Sequence, residues 1–439
     1  MFALLKGNIL QDNDQKSTIA VLDGIRAIAC LSVIAFHINL ITLKMHFWQP
    51  SVGTIASAVA MTGYTGVTLF FVLSGLLLFL PYAKALLFDG QWPSTRQFYL
   101  RRAFRIIPGY YVSLCLMVLL LQPQYLQPAH WKELGLFLVF FMDSSQQTYQ
   151  HLNGPFWTLA VEWQFYLLLP LLALAFRKFV GVIGRDSLQR RWWTLCACLV
   201  VVIAWGFGSR YLGKYFMAHP TETFLVPRSV LNVALFFLYG QNSKFLESFA
   251  IGMLIASCYI LARRANTENV LNWLGAKISQ YSVWLWRAGI VALLIMALWN
   301  GHVWFHNGLA LFDTIIPVFD WLGDSLFPLG YGLCVLAVLF GPAELKRPFE
   351  WAPLRWVGLI SYSLYIWHLP IIAYFSGLVA HFAAGWNPYL SYVLFWLCAA
   401  LVVIPFSYLF YKCIELPWTR LGGRLRDKMR KKQTEMRPN

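Results

Sequence analysis

Ten apolar runs, each close to the ~20 residues that an α-helix needs to cross a bilayer, constrain the fold of this chain more than any other feature. Their approximate bounds are residues 22–43, 61–83, 105–121, 156–176, 193–212, 245–262, 281–299, 326–341, 356–376 and 389–411. Two shorter runs, 134–142 and 229–240, are interpreted as interfacial or re-entrant, although either would add a span if it crossed the membrane. The sequence therefore predicts an all-α, polytopic transmembrane helix bundle of about ten spans.

The composition excludes the main alternatives to a membrane protein. Charged residues make up 12% of the chain and hydrophobic residues 59%, whereas soluble domains carry about 25% charged residues. So few charges do not cover a soluble globule of this size, and so apolar a chain does not stay disordered. In a soluble protein the net charge of +16 would suggest nucleic acid. Here the placement of the charge points to the membrane instead, and no nucleic-acid partner is expected.

The basic residues predict the orientation of the helices. If the N-terminus is cytoplasmic, 29 of the 35 Lys and Arg residues fall on the inner side, in agreement with the positive-inside rule. The outer ones are Lys44, Lys132, Arg210, Lys214, Arg228 and Lys244. We therefore expect both termini in the cytoplasm. The expected division is a cytoplasmic segment over 1–18, a transmembrane domain over 19–418 and a basic cytoplasmic tail over 419–439.

Ionisable residues inside the spans are costly in lipid and are therefore candidates for function. In the first span His37 follows Arg26 by 11 residues. This offset corresponds to about 16 Å and close to three turns, so both residues lie on one face. In the fourth span Glu162 is expected at a depth similar to that of His37, where a carboxylate would fix the imidazole tautomer and raise its basicity. The alternatives are a snorkelling Arg26 and a His37 that only makes an interhelical hydrogen bond.

Arginines also cluster where the third span begins. Arg101, Arg102 and Arg105 lie on the predicted cytoplasmic side, and Arg102 and Arg105 share a helix face. Guanidinium groups bind phosphate bidentately, although positive-inside anchoring explains such a cluster as well. In the second span, Ser74 and Gly75 form a small pair that also suits close helix packing.

The ninth span carries polar groups within an apolar helix. Tyr365 and His368 lie there, and His368 is expected near the depth of His37, with a packing role as its alternative. His302 and His306 have a metal-like spacing, but two histidines on a loop are weak support for a site. None of the eight cysteines lies at zinc-ligand spacing. No metal site is expected.

Five stretches, in this order and spacing, carry a resemblance that covers residues 20 to 418. They are Arg26-x10-His37, FFVLSG at 70–75, RRAFRIIP at 101–108, FWTLAVEWQFYLLLP at 156–170 and ISYSLYIWHLP at 360–370. Together they resemble the integral-membrane acyltransferase family 3. The resemblance implies transfer of an acyl group, usually acetyl, from cytoplasmic acyl-CoA to a hydroxyl of an extracytoplasmic carbohydrate. Acceptors in the family include O-antigen, exopolysaccharide, peptidoglycan, Nod factors and some macrolides.

The resemblance also assigns roles to residues. Arg26 and His37 match the essential arginine and histidine of the family, Arg102 and Arg105 match its arginine motif, and Glu162 matches the carboxylate of its W-x-L-x-x-E pattern. The implied location is the bacterial cytoplasmic (inner) membrane. Some members carry a fused extracytoplasmic esterase-like domain after an extra span. Neither is found in this sequence, so we expect direct transfer or a separate partner, for example a polysaccharide-assembly protein.

These assignments give a mechanistic hypothesis. The phosphates of acyl-CoA, a co-substrate rather than a permanently bound cofactor, would dock on Arg102, Arg105 and Arg26. His37 would act as general base on the acceptor hydroxyl, oriented by Glu162, or would take the acyl group covalently. Candidates for contacting substrate or polarising the thioester oxygen are Ser74, Tyr365 and His368.

Two other functional classes fit the same features. A transporter or flippase for a polar or glycolipid substrate would also place His, Glu and Arg in its spans. A structural subunit of a polysaccharide-export complex is the third interpretation. Against transport, the spans show no obvious repeat, and the arginine cluster suits a nucleotide phosphate. The sequence leaves open the acceptor, the acyl group and the oligomeric state.

Overall fold

The computed structural model describes residues 13–45, 55–185, 187–264, 272–305, 310–382 and 386–435. Within these ranges the regular structure is helical, and no strand occurs. The α-helices are α1 (Asn13–Lys44), α2 (Ile55–Met61), α3 (Gly66–Phe88), α4 (Thr95–Leu116), α5 (Trp131–Leu138), α6 (Phe156–Ile183), α7 (Leu188–Ala218), α8 (Arg228–Leu238), α9 (Leu246–Arg264), α10 (Asn272–Gln280), α11 (Ser282–Phe305), α12 (Ala310–Phe340), α13 (Ala343–Glu350), α14 (Ala352–Leu359), α15 (Ser361–Phe382), α16 (Pro388–Cys398), α17 (Ile404–Phe410) and α18 (Leu416–Glu435).

Nine helices of the described ranges are long and apolar enough to cross a membrane, and a bent pair raises the number to ten if it is counted as one span. The pair is Leu326–Phe340 followed by Ala343–Glu350, and the second helix is bent by 107° from the direction of the first. The predicted all-α bundle of about ten spans is thereby confirmed, and the chain is a multi-pass membrane protein. The cytoplasmic position of the termini stays a prediction.

The two short apolar runs form helices too short to span. Helix α5 has 8 residues and α8 has 11, against the ~20 that a bilayer requires. The segments after α5 and before α9 are joined by a buried ion pair, in which Lys244 donates to Asp143 and also to Ser144 Oγ at 3.0 Å. Burial lowers the pKa of Lys244, and the Asp143 carboxylate opposes that change.

Small residues bring α3 and α9 into close contact. A Cβ atom built on Gly75 would lie 2.0 Å from the Phe249 carbonyl oxygen, and one on Gly252 would lie 2.0 Å from the Val72 carbonyl oxygen. Any side chain at these positions would force the helices apart. The close packing considered for the Ser74-Gly75 pair is therefore present at Gly75, and it fixes the direction in which Ser74 faces.

Helix α1 lies in the interior and carries two of the predicted site residues. Its Ala27, Ala29 and Cys30 are completely buried. Near its start, a Cβ on Gly358 would lie 1.9 Å from the Asp23 carbonyl oxygen, so α14 packs directly on its backbone. Burial of a helix on several sides is what an all-round apolar sequence predicts.

The last span is one continuous helix with two π-helical turns. These turns, Ala399–Val403 and Tyr411–Glu415, join α16, α17 and α18. The second one turns Glu415 toward the interior, where it is buried. The helix then continues through the described part of the predicted tail as far as Glu435, and Gly422 packs there against Phe104 of α4. The remaining tail, 436–439, and residues 1–12 of the predicted N-terminal segment lie outside the described residues.

Candidate functional site

Two histidines from α1 and α15 meet in the interior of the bundle. The Nε2 atom of His368 lies 3.1 Å from Nδ1 of His37, and the ring centroids are 5.0 Å apart. His368 is completely buried, and its Nδ1 lies 2.7 Å from the carbonyl oxygen of Tyr365. His37 is only partly buried, and its Nδ1 also lies 2.9 Å from the carbonyl oxygen of Val33. Because the second ring nitrogen of His37 makes no hydrogen bond to a described residue, it is the one available for chemistry.

A layer of side chains adjoins the histidine pair. The Tyr365 ring lies 5.7 Å from the ring of His368 and 5.9 Å from that of Phe70. Thr158 of α6 donates a hydrogen bond to the Tyr365 hydroxyl at 2.9 Å. Tyr365, which the sequence offered as a thioester-polarising group, therefore lies directly beside the pair and is held by α6.

Glu162 lies about 6 Å, one helical turn, from Thr158 along α6. Its carboxylate accepts hydrogen bonds from Ser74 of α3, at 2.7 Å, and from Tyr166, one turn further along α6. Among the described residues, its hydrogen bonds go to this serine and tyrosine and not to His37. The proposed role of Glu162 in orienting His37 stays a prediction, and the group that contacts His37 is His368.

Arg102 of α4 lies beside Tyr166, the tyrosine that donates to this carboxylate. Its guanidinium carbon lies 5.7 Å from the centre of the Tyr166 ring. The Nε atom of Arg102 is buried and makes no hydrogen bond within the described part of the chain. Buried donors normally have a partner, because an unpaired one costs about 1–3 kcal/mol. This nitrogen is therefore a candidate for contacting a bound anion.

Arg26 connects the same region to α15 and α3. Its Nη2 lies 3.4 Å from Ser361 Oγ, and its guanidinium carbon is 6.0 Å from the centre of the Phe70 ring. It is also within electrostatic range of Arg105, Asp23 and Glu162. Arg26 and Arg105, from separate spans, thus share one environment.

We use the term arginine cluster for a group of five arginines and three carboxylates linked by these electrostatic interactions. Its members are Arg26, Arg101, Arg102, Arg105, Arg355, Asp23, Glu162 and Glu415. The carboxylate of Glu415 accepts a hydrogen bond from Ser363 at 2.9 Å and is buried. Counted with every group ionised, the named side chains carry a formal excess of two positive charges, and an excess of positive charge attracts a multiply charged anion.

Several residues of the site were missed by sequence reasoning, among them Asp23 and Arg355 of the arginine cluster. Tyr166 lies four residues after Glu162, a spacing that places both on one helix face and was available as a signal. Glu415 lies just beyond the last apolar run, which ends near residue 411, and the helix carries it into the interior, where it is buried. Thr158 had no distinguishing pattern.

The arrangement combines a nucleophilic or basic nitrogen with a cationic cluster three helical turns away along α1. A basic nitrogen removes a proton from a hydroxyl, and a cationic cluster holds a phosphorylated substrate. Within the described ranges, no group of three or more His, Cys, Asp or Glu side chains is placed to hold a metal ion.

Comparison with known proteins gives a match to a family model described as an acyltransferase domain, over residues 19–412. Its bounds enclose the histidine pair and most of the arginine cluster. No solved structure gives a significant match.

Curated relatives are similar over most of this chain. The peptidoglycan O-acetyltransferase OatA of Listeria monocytogenes is 26% identical over 383 residues, which are 80% of this chain and 49% of that protein. The putative peptidoglycan O-acetyltransferase YrhL of Bacillus subtilis is 25% identical over 368 residues, 80% of this chain and 48% of that protein. The O-acetyltransferase OatA of Staphylococcus aureus is 22% identical over 432 residues, 91% of this chain and 57% of that protein. The chain therefore spans about half the length of these relatives.

Proposed function

Because the chain belongs to the acyltransferase family that it matches over residues 19–412, we propose that it is a membrane O-acetyltransferase that moves an acetyl group from acetyl-CoA to a hydroxyl of a cell-surface glycan. The family match carries the reaction class. Peptidoglycan is the first acceptor to test, since two similar proteins are named as peptidoglycan O-acetyltransferases, one of them putatively.

The arginine cluster is the proposed site for the phosphates of the coenzyme. A phosphomonoester carries about −1.5 to −2 charge near neutral pH, which complements the formal excess of positive charge in the cluster. The unpaired Nε of Arg102 supplies a donor that a phosphate oxygen would satisfy. In this proposal the cluster faces the cytoplasm, as the distribution of basic residues predicts.

His37 is the proposed base or nucleophile. It lies about 16 Å from Arg26 along α1, a distance on the scale of the pantetheine arm. With the phosphates held at the cluster, the thioester would reach the histidine pair, and the acceptor hydroxyl would enter from the outer side. His37 then removes the hydroxyl proton while the oxygen attacks the acetyl carbonyl, or it carries the acetyl group itself before transfer.

Transfer of labelled acetyl groups from acetyl-CoA is the direct test. Membranes containing the protein are incubated with labelled acetyl-CoA and peptidoglycan precursors, and the glycan is examined by mass spectrometry. We expect label in the glycan with the wild type and none with His37→Ala at equal expression. Full product from His37→Ala would refute the role of His37. Acceptor movement across the membrane without label transfer would indicate that the protein is a transporter and not an acetyltransferase.

Arg102 tests the coenzyme site separately from the chemistry. Arg102→Gln should raise KM for acetyl-CoA by about ten- to a hundredfold, the effect of losing a hydrogen bond to a charged group, with a smaller change in kcat. Arg96→Gln is the matched control, because Arg96 is exposed on the same helix. Equal effects of the two variants would place the phosphates elsewhere.

A further inference from the structure

We propose that His368 is a positioning residue that fixes the tautomer of His37, so that Nε2 of His37 is the reactive nitrogen. The inference rests on the proposed function, since it names the atom that performs the transfer. It rests on the hydrogen bonds of the two rings to the carbonyl oxygens of Tyr365 and Val33 and on the contact between the two rings. It gives His368 a role other than contact with the substrate.

The proton of His368 is placed by the backbone. Its Nδ1 lies 2.7 Å from the carbonyl oxygen of Tyr365, and a carbonyl oxygen only accepts hydrogen bonds. In a neutral ring one nitrogen carries a proton and the other a lone pair. His368 therefore carries its proton on Nδ1, and its Nε2 is an acceptor.

The proton of His37 is placed by two acceptors. Its Nδ1 faces the carbonyl oxygen of Val33 at 2.9 Å and Nε2 of His368 at 3.1 Å. Both partners accept, so the proton is on Nδ1 of His37 and is shared between them. In the other neutral tautomer of His37, lone pairs would face each other at the nitrogen–nitrogen contact and at the Val33 carbonyl. The Nε2 lone pair of His37 is consequently free to act.

This chain of hydrogen bonds does what a carboxylate does in a Ser-His-Asp triad, although its members are neutral. No carboxylate of the described residues is bonded to either ring. When Nε2 of His37 takes a proton, the Nδ1–H group becomes a stronger donor and His368 stabilises the imidazolium by accepting from it. His368 thus lowers the barrier through His37 without touching the substrate.

The proposed step balances as follows. The acceptor O–H bond breaks and its proton goes to Nε2 of His37, while the oxygen forms a bond to the acetyl carbonyl carbon. The thioester C–S bond then breaks, and the coenzyme thiolate takes the proton from Nε2. An ester and a free thiol are formed, and both histidines return to their starting tautomers.

Three variants test the role of His368. His368→Leu removes the acceptor and should lower kcat about ten- to a hundredfold, as loss of a hydrogen bond to a charged group does, with KM for acetyl-CoA within about twofold. His368→Gln keeps an acceptor oxygen near the position of Nε2 and should recover most of kcat. His381→Leu, an exposed position on the same helix, is the matched control and should leave kcat unchanged. Wild-type kcat in His368→Leu, or equal loss in the Leu and Gln variants, would overturn the proposal.

A spectroscopic measurement does not depend on turnover. The protein labelled with ¹⁵N-histidine is reconstituted in liposomes for solid-state NMR, and His37→Gln and His368→Gln assign the two rings. We expect a protonated Nδ1 and an unprotonated Nε2 for both. A protonated Nε2 on neutral His37 would overturn the inference even if the enzyme is active. Absence of acetyl transfer with this tautomer present would instead refute the proposed function alone.

Discussion

The hydrogen bond between Ser74 and Glu162 predicts a measurable coupling between α3 and α6. Ser74 Oγ donates to Oε1 of Glu162 at 2.7 Å in a partly buried setting. This is the range of a charge-assisted bond, and a hydrogen bond to a charged group contributes about 1.5–3 kcal/mol. Converted to rates, such a coupling corresponds to about ten- to a hundredfold in kcat/KM.

A double-mutant cycle measures this coupling. The four proteins are the wild type, Ser74→Ala, Glu162→Met and the double variant, and the assay follows thiol release from acetyl-CoA together with the melting temperature in detergent. If Ser74 acts through Glu162, Ser74→Ala lowers kcat/KM in the wild type and has little further effect on Glu162→Met. Ser257→Ala is the control, because it removes a buried hydroxyl that bonds only a backbone carbonyl.

The cycle also separates two roles of Ser74. If Ser74 polarises the thioester oxygen, as its sequence position allowed, its loss lowers the rate equally in both backgrounds and the coupling energy is near zero. That result would refute the reasoning that the serine serves the carboxylate. A coupling seen in the melting temperature and not in kcat/KM would limit the pair to a structural role.

Two further predictions concern stability. Gly75→Ala places a Cβ 2.0 Å from a carbonyl oxygen of α9, so it should destabilise the fold by about 1–3 kcal/mol. Gly135→Ala is the control, because a Cβ at Gly135 has open space around it. Equal melting temperatures for the two variants would contradict the close packing. Lys244→Met leaves the carboxylate of Asp143 buried without its lysine partner, which costs about 3–5 kcal/mol of stability. Lys132→Met, at an exposed position, is the control. An unchanged melting temperature of Lys244→Met would contradict the ion pair.

The helical spans could be predicted from the sequence because a bilayer imposes one length and one polarity on each of them. Nine helices of the described ranges, or ten with the bent pair, meet both conditions. The 107° bend after Phe340 was not predicted, although Gly341 and Pro342 stand at the break as an ordinary helix-ending signal. The basic tail was expected to be either a helix or a disordered segment near anionic lipid, and in the structure the last helix runs on through it to Glu435.

The site was harder to predict because the sequence fixes depth in the membrane and not the neighbour across it. Glu162 and His37 were expected at one depth, and His368 near it. In the structure Glu162 bonds to Ser74 and Tyr166, whereas His37 contacts His368, with Tyr365 beside that pair. Which helices adjoin is decided by packing, such as the glycine contacts of α3 and α9, and no single-chain pattern records it.

The placement of Glu162 beside the arginine cluster leads to a last prediction. A residue that orients His37 would change kcat, whereas one that holds Tyr166 and balances the charge of Arg26 would chiefly change the affinity for the coenzyme. We therefore expect Glu162→Gln to change KM for acetyl-CoA more than kcat, and His368→Leu to change kcat more than KM. The comparison is made on the same preparation, with the melting temperature as a measure of folding. If Glu162→Gln lowers kcat as strongly as His368→Leu and leaves KM unchanged, the carboxylate acts on the chemistry after all, and the hydrogen bonds to Ser74 and Tyr166 must be exchanged for one to His37 when the substrates bind.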